Sequence, residues 1–473
     1  MSPSKPDPYA YQVEGVKFLQ SRGRAFLGDE PGLGKSKQLL DAASGRTLVV
    51  APAMVLDGGN WDDQIQLWAP GADVFQAPYS GLNAREKTGK SKSATRPTMA
   101  LHPDIKQLGR IETLILDECH YVKGRSTFWT QAAQAIARQA DQVFLATGTP
   151  IPNWPHELFV PLQLLFPHEA KRGGRFGSYW RWVEQWFYTA PNQYSVHKTD
   201  VLGMRRCNAA CLQRPAWDPC EHYHEFVAEN LGDRFLQRLR DDVLPDLPAL
   251  TEVQVRVEMT PKQYAEYRSM KRDYVAEVQG SELVAWSDGA KNVILDKMTT
   301  GLGILGDRPS PAESGKFQRL EFDLSSRARP TLVTAHYRAS VEAAAQVAQS
   351  VGAKTRVVHG GTTKAARAAA VREFQQGKCD VLCGSLETIA EGLTLTAADM
   401  VIFVEKSWKP SRNTQAKQRI HRIGQTRPCT ALDYVAVSPR GGRTVDVGKR
   451  ETVAAKTDVQ VRTLTAAQMV RLL

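Results

Sequence analysis

One stretch near the N-terminus decides the fold: Ala25-Phe26-Leu27-Gly28-Asp29-Glu30-Pro31-Gly32-Leu33-Gly34-Lys35-Ser36-Lys37-Gln38-Leu39-Leu40. Its apolar start predicts a strand, its glycines a turn, and Lys35-Ser36 the beginning of a helix. Glycines let consecutive backbone N–H groups turn toward one anion, because no Cβ blocks the turn or the phosphate. We therefore expect a phosphate loop in which Lys35 reaches the β- and γ-phosphates and Ser36 binds magnesium. A glycine turn that caps an ordinary helix is the alternative.

Length and charge narrow the class of protein. A chain of 473 residues exceeds a single hydrophobic core, so two lobes with inserts are expected. The excess of 61 Lys+Arg over 50 Asp+Glu favours a polyanionic partner. No apolar run is long enough to span a membrane, and Met1–Pro8 is too polar for a signal peptide, so we expect a cytoplasmic protein, or a nuclear one in a eukaryote. Seven cysteines in so long a chain do not form a disulfide scaffold.

Two more strands of the first lobe end in polar residues. The run Thr113–Leu116 leads into Asp117-Glu118-Cys119-His120, at the edge of the sheet where the phosphate loop lies. Asp117 is placed to hold magnesium and Glu118 to orient and deprotonate the attacking water. The run Val143–Ala146 leads into Thr147-Gly148-Thr149, whose hydroxyls can relay hydrogen bonds toward a neighbouring lobe. A simple polar turn is the alternative for this last segment.

An amphipathic helix precedes the phosphate loop. Val13, Val16 and Leu19 share one predicted face, which leaves Gln12 to point elsewhere. The glutamine amide offers a donor and an acceptor together and suits an adenine edge. A plain surface residue is the alternative for Gln12.

The alternation of strands and helices stops between residues 154 and 248, which we interpret as an insert. Its aromatic run 179–188 follows Lys171, Arg172 and Arg175 and resembles a nucleic-acid grip. The alternative is the core of a helical protrusion, because four apolar residues share a helical face: Trp182, Val183, Trp186 and Phe187. The basic loop 85–97 either contacts a phosphate backbone or is simply solvated.

Five possible zinc ligands lie close together in the insert: Cys207, Cys211, Cys220, His222 and His224. Their spacings fit no common structural zinc site well. Whether they bind zinc stays open at the level of sequence.

Strands resume after a proline-rich linker at residues 307–312 and predict a second parallel-sheet lobe without a phosphate loop. In this lobe Arg419 and Arg422 stand three residues apart, which predicts one face of a helix. Two guanidiniums there could reach a γ-phosphate across a cleft as arginine fingers. A solvated basic helix is the alternative.

Together these segments resemble the Swi/Snf-like family of superfamily-two ATPases, closest to its annealing-helicase branch in a compact phage or bacterial form. The resemblance rests on ordered motifs, above all Asp29–Ser36, Asp117–His120, Thr147–Asn153, Leu236–Pro248 and Gln415–Gln425. It implies an α/β fold with two RecA-like parallel-sheet lobes, the P-loop NTPase helicase core, and a helical insert between them. It also implies ATP and Mg²⁺ as cofactors.

The residue chemistry and the resemblance together assign the candidate site. The nucleotide-binding residues are Gln12, Asp29, Gly32, Gly34, Lys35, Ser36, Gly392 and Gln415, with Ser36 and Asp117 on magnesium. The catalytic residues are Lys35, Glu118, Arg419 and Arg422. Six residues are assigned either to contact with nucleic acid or to coupling between the nucleotide site and nucleic acid: Tyr79, His120, Thr147, Gly148, Thr149 and Trp408.

The resemblance also predicts the organisation and the activity. We expect a first lobe at 1–153, an insert at 154–300, a linker at 301–312, a second lobe at 313–436 and a tail at 437–473. The expected activity is a DNA-stimulated ATPase, plausibly monomeric, that moves on double-stranded DNA and remodels branched or protein-bound DNA. Its grip should be on phosphates and hence tolerant of sequence. The alternatives are a strand-separating DNA or RNA helicase and a non-catalytic DNA-binding scaffold.

Overall fold

A computed structural model describes residues 7–57, 59–85, 99–148, 150–151, 154–192, 199–205, 209–214, 220–244, 246–327, 329–390 and 393–472. The chain forms two compact units. The first comprises residues 1–245 and 456–473, and the second comprises residues 246–455.

The secondary structure alternates between strands and helices over most of both units. The strands are β1 (Arg24–Leu27), β2 (Thr47–Ala51), β3 (Val74–Pro78), β4 (Asn83–Arg85), β5 (Met99–Leu101), β6 (Thr113–Asp117), β7 (Gln142–Ala146), β8 (Phe187–Pro191), β9 (Thr199–Met204), β10 (Phe235–Leu236), β11 (Leu250–Glu258), β12 (Val275–Val278), β13 (Ser281–Val284), β14 (Thr331–Ala335), β15 (Thr355–Val358), β16 (Val381–Ser385), β17 (Met400–Phe403) and β18 (Cys429–Val437). The α-helices are α1 (Ala10–Arg22), α2 (Lys35–Ala42), α3 (Ala53–Asp57), α4 (Asn60–Trp68), α5 (Pro103–Gln107), α6 (Phe128–Gln139), α7 (Phe159–Leu165), α8 (Tyr179–Trp186), α9 (Ala209–Leu212), α10 (Glu221–Asn230), α11 (Arg240–Val243), α12 (Pro261–Asp273), α13 (Asp288–Met298), α14 (Gly315–Ser325), α15 (Arg338–Ser350), α16 (Lys364–Gln375), α17 (Leu386–Ala390), α18 (Pro410–Lys417) and α19 (Val445–Leu472).

The first unit is built on a six-stranded sheet in the order β10-β1-β7-β6-β2-β3, and the paired strands are parallel. β2 and the apolar part of β6 are buried throughout, as expected of parallel strands that helices cover on both faces. Because the strands run the same way, the segments after β1, β6 and β7 leave the sheet at one edge. That edge carries the phosphate loop, Asp117 and Thr147.

The second unit contains a six-stranded parallel sheet in the order β11-β18-β17-β14-β16-β15. The two sheets confirm the predicted α/β class with two RecA-like lobes. β11 pairs with β18 along all nine of its residues, whereas β10 pairs with β1 in the first sheet. The predicted insert at residues 154–300 therefore includes strands of both sheets beside its helices and hairpins.

The aromatic run of the insert forms hydrophobic core in the first unit. Trp182, Val183, Trp186 and Phe187 are all at most 5% exposed, and the three aromatic rings among them pack with Phe226 of α10. Phe187 begins β8 rather than continuing α8. Among the described residues, no helix is both long and apolar enough to cross a membrane.

Candidate active site

The phosphate loop joins β1 directly to α2, as the sequence predicts. Gly34 lies just before Lys35, the first residue of α2, with a φ of +72° that favours glycine. The first turn of α2, which the structure describes completely, has neither a side-chain cap nor an acidic residue. An N-terminus of this kind presents backbone N–H groups and a partial positive charge to an anion.

Lys35 lies over the loop that precedes it. Its Nζ donates to the carbonyl oxygens of Asp29 at 2.7 Å and Glu30 at 3.2 Å. Burial lowers the pKa of Lys35, and the nearby carboxylates of Glu118 and Asp117 oppose that effect. Lys35 therefore contacts the loop and lies near the acidic pair, of which the sequence assigned Asp117 to magnesium and Glu118 to catalysis.

The two carboxylates at the end of β6 have different environments. Burial and the adjacent Glu118 raise the pKa of Asp117 to about 6, although Trp61 Nε1 donates to its carboxylate at 2.9 Å. Burial also raises the pKa of Glu118, but His120, Lys35 and Thr147 outweigh it and lower that pKa to about 2. The lowered pKa keeps Glu118 ionised at neutral pH, whereas the raised pKa of Asp117 means that it releases its proton at a higher pH than a free aspartate does. Oxygen ligands suit Mg²⁺, so Asp117 and the Ser36 hydroxyl fit the predicted metal role.

A hydrogen-bonded group links Glu118 to the end of β7. Thr147 Oγ1 donates to Glu118 Oε2 at 2.7 Å, and His120 Nδ1 lies 3.3 Å from Glu118 Oε2 and 3.2 Å from Thr147 Oγ1. Glu118 has a φ of +50°, which is strained for a residue with a Cβ. A Cβ on Gly148 would lie 2.3 Å from Pro31 Cγ, so the β7 turn packs tightly on the phosphate loop.

Gln12 is buried against the loop rather than exposed on α1. Its Nε2 donates to the carbonyl oxygen of Leu33 at 3.3 Å, and its Oε1 accepts from the N–H of Tyr9 at 3.2 Å. The predicted apolar face of α1 is wrong in part, because Val13 is 39% exposed. The side of the helix that carries Gln12 is instead covered by the phosphate loop.

Asp29 is held by an arginine that the sequence analysis did not single out. Arg238 Nε donates to Asp29 Oδ1 at 3.0 Å and its Nη2 donates to Oδ2 at 2.5 Å, while the Asp29 side chain is fully buried. The same guanidinium donates to Gln38 Oε1 at 2.7 Å and to the Tyr11 carbonyl. Asp29 therefore supports the loop through Arg238, and its predicted contact with nucleotide stays a prediction.

The segment that follows β10 runs alongside the phosphate loop. The N–H of Glu30 donates to the Arg238 carbonyl at 3.1 Å, and the N–H of Arg240 donates to Glu30 Oε2 at 2.7 Å. Arg240 Nη2 also donates to the Pro31 carbonyl at 2.9 Å. The only sequence signal for this support was the match of Leu236–Pro248 to a family motif, which gave no partner.

Tyr79, for which the sequence predicts a coupling or nucleic-acid role, is buried inside the first unit, as is Trp61. Tyr79 is 3% exposed, stacks on Tyr121 and donates its hydroxyl to the Asp117 carbonyl at 2.8 Å. Trp61 is 1% exposed. In this conformation both support Asp117, and a nucleic-acid role for Tyr79 stays a prediction.

In the second unit the predicted arginine pair is placed differently from expectation. α18 ends at Lys417, so Arg419 and Arg422 lie in the turns that follow and not on one helix face. After Lys417 the backbone forms tighter turns, in which the N–H of Arg419 donates to the carbonyl of Ala416, three residues earlier. The carbonyl of Ile420 accepts from Gln425 Nε2 at 3.0 Å. The expectation of a helical pair is therefore wrong.

Arg419 contacts the last residue of α17, and Arg422 contacts the segment that follows that helix. Arg419 Nη2 donates to the Ala390 carbonyl, and Arg422 Nη1 donates to Thr394 Oγ1 at 3.0 Å. The N–H of Leu395 donates to the Arg419 carbonyl at 2.9 Å. The segment after α17 and the turns after α18 are thus one structural group in the second unit.

The remaining candidates are dispersed. Gln415 is buried and accepts from Arg412 Nη1 at 3.3 Å, and Trp408 is 39% exposed with Lys449 Nζ 5.3 Å from its ring centre. Thr149, Gly392 and Cys207 lie outside the described residues. The basic loop lies largely outside them as well.

Comparison with known proteins gives family matches along most of the chain. The model described as SNF2-related domain matches residues 11–299, and the one described as helicase conserved C-terminal domain matches residues 315–424. The chain is similar to human DNA annealing helicase and endonuclease ZRANB3, with 25% identity over 88% of this chain and 37% of that protein. It is similar to SWI/SNF-related matrix-associated actin-dependent regulator of chromatin subfamily A-like protein 1 of Xenopus tropicalis, with 26% identity over 88% of this chain and 41% of that protein.

The chain thus spans less than half the length of these two relatives. Among solved structures it is similar to the Sulfolobus solfataricus SWI2/SNF2 ATPase core in complex with dsDNA. That match has 19% identity and a TM-score of 0.40, and it covers 92% of this chain and 88% of the other.

Proposed function

Because the chain belongs to the SNF2-related family, as its motifs predicted, we propose that it is a DNA-stimulated ATPase that moves along double-stranded DNA and remodels branched DNA. The observation that carries the proposal is the group formed by Lys35, Glu118, His120 and Thr147 at one edge of the first sheet. It joins a phosphate-binding lysine to a carboxylate that can orient water, and it continues into the turn after β7.

The side chains of the first unit divide the work at the nucleotide. Lys35 and the N-terminus of α2 neutralise phosphate charge, while Ser36 and Asp117 would hold Mg²⁺. An ion held by these two residues would supply positive charge to the phosphate oxygens. Glu118 orients the attacking water, and Gln12 meets the adenine after releasing the Leu33 carbonyl.

The second unit supplies the arginine fingers in this proposal. Arg419 and Arg422 would stabilise negative charge that develops on the γ-phosphate, which is worth about 10³–10⁵ in rate in related chemistry. Their contacts with the Ala390 carbonyl and Thr394 link them to the segment after α17. A nucleic acid that moves this segment would therefore change the position of the arginines.

DNA is proposed as the polyanion on two grounds. The chain carries a formal net charge of +11, which favours binding to phosphates. The human relative named above is called a DNA annealing helicase. Binding through phosphates should tolerate changes of base sequence and weaken steeply with salt.

The test is an ATPase assay with duplex DNA, forked DNA, single-stranded DNA and RNA. We expect the strongest stimulation by DNA that contains duplex, and loss of turnover in Lys35→Ala and Glu118→Gln. Arg272→Ala, at an exposed side chain of the second unit, should behave as the wild type. Stimulation by RNA alone would reject the proposal.

A strand-separating helicase remains the alternative activity. Displacement of a labelled strand from a tailed duplex, with no preference for forks in the ATPase assay, would favour it. A third possibility is a scaffold that binds DNA without turnover. In that case the wild type would have no ATPase activity above that of Glu118→Gln.

A further inference from the structure

Three possible metal ligands converge in the first unit, and none of them is a residue assigned to ATP. Cys211 lies in α9, Cys220 lies just before α10, and His222 is in the first turn of α10. Their sulfur and nitrogen ligand atoms all lie within 4.8 Å of one another, and Cys211 Sγ is 3.7 Å from His222 Nδ1. His224, which the sequence placed in the same candidate set, is not part of this group of atoms.

The sulfur–nitrogen separation in this group is that of two ligands on a tetrahedral zinc ion. With zinc–sulfur and zinc–nitrogen bonds of about 2.3 and 2.05 Å, a sulfur and a nitrogen on one tetrahedral ion lie about 3.6 Å apart. The observed 3.7 Å between Cys211 Sγ and His222 Nδ1 matches that spacing. Two thiolates and an imidazole favour zinc over magnesium or calcium, which prefer oxygen ligands.

A disulfide explains the group less well. A bond between Cys211 and Cys220 would leave the approach of His222 Nδ1 to Cys211 Sγ without a reason. Cys220 is 4% exposed and the other two are partly buried, so the group is shielded as structural zinc sites are.

We propose that Cys211, Cys220 and His222 bind one zinc ion that ties α9 to the start of α10. The zinc ion would hold one end of α10, and the other end contacts the core of the insert. There Asn230 accepts a hydrogen bond from buried Trp182 Nε1 at 2.7 Å. Bound zinc stabilises the folded insert, since the metal binds the assembled ligands and not the unfolded chain. The site does not depend on the proposed ATPase function.

The test starts from the untagged full chain, purified without chelators after growth with added zinc, and measures metal by mass spectrometry. We expect about one zinc ion per chain. Cys211→Ser, Cys220→Ser and His222→Ala should lose it, while the matched control His224→Ala keeps it. Zinc that stays in all three variants would overturn the assignment of these ligands.

A second measurement uses the wild-type chain and so does not depend on the folding of variants. The chain is stripped of metal and reconstituted with Co²⁺. A tetrahedral site with two thiolates should give intense visible bands and a thiolate charge-transfer band, and added zinc should remove them. Chelation should lower the melting temperature, with recovery on addition of zinc but not magnesium. Absence of both zinc and the cobalt bands, or a melting temperature insensitive to chelation, would overturn the proposal.

Discussion

At the scale of single residues, Gly34 shows how tightly the phosphate loop is built. Its φ is +72°, and an added Cβ would lie 2.4 Å from Gln12 Nε2. The left-handed backbone therefore disfavours a side chain here, and a Cβ would also displace the Gln12 amide that holds the loop against α1. A second glycine, Gly71, has a similar φ of +80° with no atom within 4 Å of an added Cβ.

This pair permits a controlled experiment. We expect Gly34→Ala to abolish ATP binding, because the Cβ displaces Gln12 and distorts the loop. Gly71→Ala should lose about 1–2 kcal/mol of stability from backbone strain alone and bind ATP normally. Titration with a fluorescent nucleotide and thermal unfolding of both variants measure the two effects. Equal ATP affinity in the two variants would mean that the loop tolerates the Cβ.

At the scale of elements, the end of β10 supports the loop after β1. Arg238 pairs with both carboxylate oxygens of buried Asp29, so Arg238→Ala should cost about 3–5 kcal/mol by leaving that charge uncompensated. Arg238→Lys keeps the charge but not the two-pronged contact, and we expect a folded protein with weakened ATP binding. Nucleotide titration at a temperature where the variant is folded measures this.

The control lies in the same unit. Arg22 pairs with Asp233 at the surface, with 39% and 64% of the two side chains exposed. Arg22→Ala should change stability by less than about 1 kcal/mol and leave ATP affinity unchanged. Wild-type ATP affinity in Arg238→Lys would show that Arg238 stabilises the unit without positioning the loop.

In the second unit, α14, β18 and α19 meet at a buried charge cluster. Asp446 accepts from Lys316 Nζ at 2.7 Å and from Arg450 Nη1 at 2.5 Å, and its side chain is 2% exposed. Burial raises the pKa of Asp446, but Arg450, Lys316 and Lys449 outweigh it and hold that pKa well below its ordinary value. The ionised carboxylate therefore stabilises the fold above the unfolded pKa of about 3.9, and this contribution is lost as the pH falls below it.

Asp446→Asn should accordingly lose about 3–5 kcal/mol at neutral pH, because two buried cations lose their partner. Its stability should also depend less on pH below about 4 than that of the wild type. Calorimetry from pH 3 to 7, with hydrogen exchange of β18 to locate the effect, tests both statements. Asp273→Asn removes an exposed pair with Arg272 and should leave the profile unchanged. An acid profile that is the same in Asp446→Asn and the wild type would contradict the argument.

The sequence predicted the strands and helices far better than the side-chain contacts between distant segments. β6 and β7 were predictable because each is a short apolar run that is buried over four of its five residues. Arg238 was not, because its partner Asp29 stands 209 residues away and no local pattern connects them. Their spacing predicted that Arg419 and Arg422 lie on one helix. In the structure α18 ends at Lys417, and Gln425 Nε2 donates to the Ile420 carbonyl in the turns that follow.

At the scale of the whole molecule, the proposed mechanism divides its chemistry between the two compact units. Gln12, Lys35 and Asp117 belong to the first unit, and Arg422 belongs to the second. ATP binding and ATP turnover should therefore respond differently to substitutions in the second unit.

Arg422→Ala tests this division. If Arg422 acts as an arginine finger, its loss should lower the DNA-stimulated rate by about 10³-fold or more. ATP affinity should change little, because the binding residues lie in the first unit. Arg272→Ala removes an exposed arginine of the same unit and should retain both properties. Single-turnover hydrolysis and nucleotide titration of the two variants separate binding from chemistry. Normal DNA-stimulated turnover in Arg422→Ala would refute a finger role for Arg422, whereas lost ATP affinity would mean that the second unit also binds the ground state.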